Sequence, residues 1–86
     1  MSVYDDTRTE LARLGVRVEL SPASLWAPSA VAHHDTRVAE LIPASDKRVD
    51  VYTYTQDTPG GVLAGLAHRR YARPAVAARN IARWLA

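Results

Sequence analysis

Seven consecutive residues constrain the fold most. Val49-Asp50-Val51-Tyr52-Thr53-Tyr54-Thr55 alternates between two faces and consists of β-formers everywhere except Asp50. Val49, Val51, Thr53 and Thr55 point one way, and Tyr52 and Tyr54 point the other. One face can meet a core while the tyrosines still need shelter. An uncovered face or an unpaired edge invites a second copy to add its strand or its helix.

The rest of the chain supplies cover for such a strand. Ser2 is placed to cap a helix over about 2–14, with Asp5 as its capping-box partner and Asp5 and Asp6 favoured by the helix dipole. Val3, Thr7, Leu11 and Leu14 form its apolar stripe, and Gly15 supplies a left-handed stop. Val16-Arg17-Val18-Glu19-Leu20 alternates as a half-buried strand. Residues 21–29 read as a loop, with Pro22, Pro28 and an anchoring Trp26. Residues 30–42 fit a helix face roughly, but two strands over about 30–34 and 37–42 are preferred, with Ala44-Ser45-Asp46-Lys47 as a hairpin loop.

After Thr55, Thr58 reads as an N-cap and Pro59 as the first helical residue. Val62, Leu63 and Leu66 then give an apolar edge through about residue 71. The residue before Pro74 disfavours helix, so a break falls at Arg73-Pro74. A last helix runs from Pro74 to about Leu85, with Ala77, Ala78, Ile81, Trp84 and Leu85 on its apolar face. The predicted fold is a single α+β domain over 1–86: an N-terminal helix, a small, mostly antiparallel sheet of three to four strands, and two short C-terminal helices.

Composition narrows the function classes. The 86 residues contain no Cys, so neither a disulfide framework nor a thiolate metal site is available. Asp5, Asp6 and Glu10 interrupt the region where a signal peptide would need its apolar core, and no apolar run reaches membrane-spanning length. A cytoplasmic or virion location is expected. His33-His34-Asp35 is the one tempting metal cluster, but adjacent residues on a strand point to opposite faces, and zinc needs three or four convergent ligands. No metal and no cofactor are expected. Thr58-Pro59-Gly60-Gly61 lacks the spacing of a phosphate-binding loop. No nucleophile–base–acid set and no paired carboxylates are evident, so neither an enzyme nor a small-molecule substrate is expected.

The charge is split along the chain. Residues 1–57 carry six basic and nine acidic side chains, whereas residues 58–86 carry five Arg and no acid. Arg69, Arg70, Arg73, Arg79 and Arg83 would thus sit on a basic helical hairpin, suited to an acidic protein surface or to nucleic acid. Tyr52, Tyr54 and Trp26 are candidate interface residues.

Val3-Tyr4-Asp5-Asp6-Thr7-Arg8, the helix end Leu14-Gly15, then Val16-Arg17-Val18 and the loop Ser21-Pro22-Ala23-Ser24-Leu25-Trp26-Ala27-Pro28 resemble the start of small head–tail joining or tail-terminator proteins of tailed bacteriophages. The later strand followed by a helix suits the same pattern, and the resemblance covers residues 3–60. It implies a non-enzymatic structural subunit of a phage-like particle, acting as an oligomer through contacts with itself and other protein subunits. The alternative function is a small DNA-binding regulator that uses the basic C-terminal hairpin.

Overall fold

The computed structural model describes residues 2–21, 29–58 and 60–86. Helix α1 (Val3–Arg13) begins at its expected cap: the Asp5 amide donates to Ser2 Oγ at 3.1 Å, and the Ser2 hydroxyl donates to the Asp5 carboxylate at 2.9 Å. The chain leaves the helix through Gly15 at φ +79°, a conformation that costs a side-chain-bearing residue about 1–2 kcal/mol. The Val3 amide donates to the Asp46 carbonyl at 3.0 Å, which ties the start of α1 to a sheet turn.

Five strands follow: β1 (Glu19–Ser21), β2 (Ser29–His34), β3 (Arg37–Ser45), β4 (Arg48–Thr55) and β5 (Ala64–Tyr71). They lie in chain order, each antiparallel to the next. Short connections favour this arrangement, because each strand turns back directly onto its neighbour. Helix α2 (Pro74–Leu85) closes the described chain.

Both helices lie on one face of the sheet and pack against each other, α1 also against β3 and β4 and α2 against β3 and β5. Alternation sends Ala39, Leu41, Val49 and Val51 to that face, where they meet Leu11 of α1 and Ala77, Ala78, Ile81 and Leu85 of α2. Ala30, Ala32, Ala39, Ala77 and Ala78 are fully buried, and their small side chains let the helices approach closely. The alanine-rich composition thus serves packing as well as helix propensity.

The expected architecture needs correction in three places, the first being the strand expected over Val16–Leu20, which begins only at Glu19 and ends at Ser21. Residues 64–71 form strand β5, not a helix, so the sheet has five strands and the described residues contain one C-terminal helix. Gly60, Gly61 and Gly65 each weaken a helix by about 1 kcal/mol, while β4 without β5 would expose a row of unpaired backbone groups. Residues 30–45 do form two strands, with β3 longer than expected and Asp35 at φ +54° in the turn between them. The expected loop at 21–29 and its anchor Trp26 fall almost wholly outside the described residues; the last of them, Ser29, opens β2.

Candidate functional site

Strand β5 is the longer of the two strands at the sheet edges. Every residue from Ala64 to Arg70 is exposed, and Leu66 is 62% exposed. It pairs with β4 on one side, and among the described residues nothing pairs with its outer edge. The register passes from Thr53 opposite Ala67 to Thr55 opposite Ala64, leaving Gly65 and Leu66 together across from Tyr54. This is a β-bulge, and Gly65 occupies it at φ +66°. Beyond the bulge, Ala67, Arg69 and Tyr71 share the helix side of the sheet, while His68 and Arg70 share the open side.

On the helix side, α2 meets β5 and a groove of about 400 Å³ lies between them. Arg69 and Tyr71 line it from β5, Asn80, Arg83 and Trp84 line it from α2, and Thr53 contributes to its floor. All nine acidic side chains are among the described residues, and none forms an ion pair with Arg69 or Arg83.

The open side is knit together internally. Glu40, Tyr52 and His68 follow one another across β3, β4 and β5. Tyr52 stacks on His68 with ring centroids 4.5 Å apart. Asp50 accepts from Arg70 Nε at 2.7 Å and lies 3.0 Å from His68 Nε2. The Arg70 hydrogen bond, supported by His68, holds the Asp50 carboxyl below its ordinary range. Tyr54 is buried and donates to Glu40 Oε1 at 2.9 Å. Burial and then the Glu40 carboxylate push its pKa up to about 12. Tyr54 thus finds its shelter within the chain.

The end of α2 is clamped by the β2–β3 hairpin. Trp84 Nε1 donates to the Val38 carbonyl at 3.1 Å. Arg37 donates to the backbone oxygens of Trp84 and Ala86 at 3.0 and 2.7 Å, and lies over the Trp84 ring at 5.4 Å. His34 Nδ1 donates to the Leu85 carbonyl at 2.9 Å. These groups satisfy carbonyls that every helix end leaves free.

The five C-terminal arginines therefore do not form one patch. Arg69 and Arg83 share the groove, Arg70 is committed to Asp50 on the other face, and Arg73 precedes α2 as its N-cap. Arg79 stands exposed on α2 and does not line the groove. Residue-type reasoning missed Asn80, Trp84, Glu40, Asp50 and His68 as site members. The three glycines at 60, 61 and 65 were the available signal that residues 64–71 extend the sheet. Among the described residues, no group of three or more His, Cys, Asp or Glu is placed to hold a metal ion, and no helix is long and apolar enough to cross a membrane. No family model matches the chain, and no curated protein and no solved structure matches it either.

Proposed function

We propose that this chain is a non-enzymatic assembly subunit that joins other proteins through strand β5, in a particle of the kind served by phage head–tail joining proteins. One observation carries this reading: an eight-residue strand exposed from Ala64 to Arg70, with its outer backbone edge unpaired among the described residues. Such an edge is a template for another chain, and main-chain hydrogen bonds supply the contact. Val62, Leu63 and Leu66, at 91%, 46% and 62% exposure, add apolar surface at the same end of the strand. The sequence resemblance over residues 3–60 supplies the particle context. The alternative, a DNA reader built on two C-terminal helices, loses its basis because residues 64–71 are a strand.

The test is site-specific photo-crosslinking in cells that make the protein. A benzophenone side chain placed at Leu66 should give discrete adducts with a structural protein of the particle. The same group at Arg13, exposed at the far end of α1, should give none. Equal labelling from both positions, or no adduct from Leu66, would overturn the reading.

A further inference from the structure

Building on the assembly reading, we propose that β5 receives, as a sixth strand, an extended segment of a different protein bearing acidic side chains at alternate positions, and that these enter the groove beside Arg69 and Arg83. The strand that carries the open edge also contributes Arg69 to the groove that Arg83 lines from α2. An added strand takes its hydrogen bonds from the edge and directs every second side chain to the helix side. There the groove presents Arg69 and Arg83, to which no acid of this chain is paired. On the open side the added strand would meet Leu66 and the stacked Tyr52–His68 pair, while Arg70 is already bound to Asp50. The complementary segment is therefore acidic toward the helices and apolar toward the open face.

A second copy of β5 fits this edge poorly. With helices on the same side, antiparallel partners must have position numbers of even sum. Registers centred on His68, Arg69 or Arg70 set the two Arg69 side chains opposite each other or two residues apart on one face, with no acid between them. Like charges so placed destabilise a strand pair. The Gly65 bulge also bends the strand before Ala67, and both devices are known protections of sheet edges. Nucleic acid has the matching charge but lacks the amide pattern that the edge would read.

The probe is a synthetic peptide of eight residues alternating Glu and Val, compared with a Lys-Val analogue, an N-methylated Glu-Val analogue and a short DNA duplex. The intact protein should bind the Glu-Val peptide and gain amide protection along β5. Arg69→Glu with Arg83→Glu should weaken that binding at least about tenfold and shift preference to the Lys-Val peptide, while circular dichroism and melting temperature stay unchanged. N-methylation should abolish binding. Equal binding of the N-methylated peptide, equal binding of the Lys-Val peptide, tighter binding of DNA, or no binding at about 1 mM peptide each overturns the acidic-strand proposal. A Leu66 adduct alongside any of those results would leave the assembly reading standing and remove only this partner.

Discussion

Trp84 is where α2 is fastened to the sheet, and truncating it tests the packing account. Trp84→Ala removes a partly buried indole from the core margin, the hydrogen bond to the Val38 carbonyl, and the ring beneath Arg37. Full burial would set the cost of the ring at about 3–5 kcal/mol, and partial burial reduces that to roughly 2–3. The lost hydrogen bond adds about 1 kcal/mol, and the cation–π contact adds about 0.5. The expected loss is about 3.5–4.5 kcal/mol, a large share of the roughly 4–13 kcal/mol typical of a domain this size. Each kcal/mol lowers the melting temperature by about 4–8 °C, so a fall of at least about 14 °C is expected. Trp84→Phe keeps a ring under Arg37 and loses the donor, and should cost about 1–1.5 kcal/mol. Urea titrations followed by far-ultraviolet circular dichroism give both values without relying on tryptophan emission. A Trp84→Ala variant that melts within about 2 °C of the parent, or a Trp84→Phe variant as damaged as Trp84→Ala, would show that the indole does not hold α2 as described.

Gly65→Val forces a β-branched residue into the left-handed region and should cost about 1–2 kcal/mol or more, read as a lower midpoint in the same titration; an unchanged midpoint would mean the bulge is not needed. The depressed folded-state pKa of Asp50 gives stability that is present above the unfolded carboxylate range and lost as pH falls through the folded value. Asp50→Asn should therefore flatten the acid limb of the stability–pH curve, and identical acid limbs would contradict the Asp50–Arg70 account. For Tyr54 the sign reverses: a folded-state pKa near 12 gives stability that is full below about pH 10 and lost as pH rises toward 12. Ultraviolet titration of the native protein should show a late-ionising phenol that Tyr54→Phe removes, and its persistence in the variant would assign it elsewhere.

Local signals were legible, and non-local ones were not. The Ser2–Asp5 cap, the Gly15 stop and the alternation of β4 are encoded within a few residues, and each element forms where those residues place it. Residues 58–71 misled because Val62, Leu63 and Leu66 fit a narrow helical edge after a Thr-Pro start. Three glycines in that stretch oppose a helix, and pairing with β4, available only in the folded sheet, decides for a strand. The same error made five arginines look like one patch. On a strand, neighbouring Arg69 and Arg70 are sent to opposite faces, and only register reveals that Asp50 takes the second. Trp84 belonged to the expected apolar face of the last helix, but its partners Val38 and Arg37 lie 46 and 47 residues away in sequence, beyond the reach of any local pattern.

Amide hydrogen exchange along β5, resolved by residue with NMR, tests the central claim most directly. In the isolated chain, amides between Ala67 and Tyr71 should alternate, those bonded to β4 being slow and those facing outward being fast, while β3 and β4 are slow throughout. In the assembled particle, the fast set should become slow. Uniform protection of β5 in the isolated chain, or an outward set that stays fast after assembly, would contradict the account of β5 as an open edge that partner proteins complete.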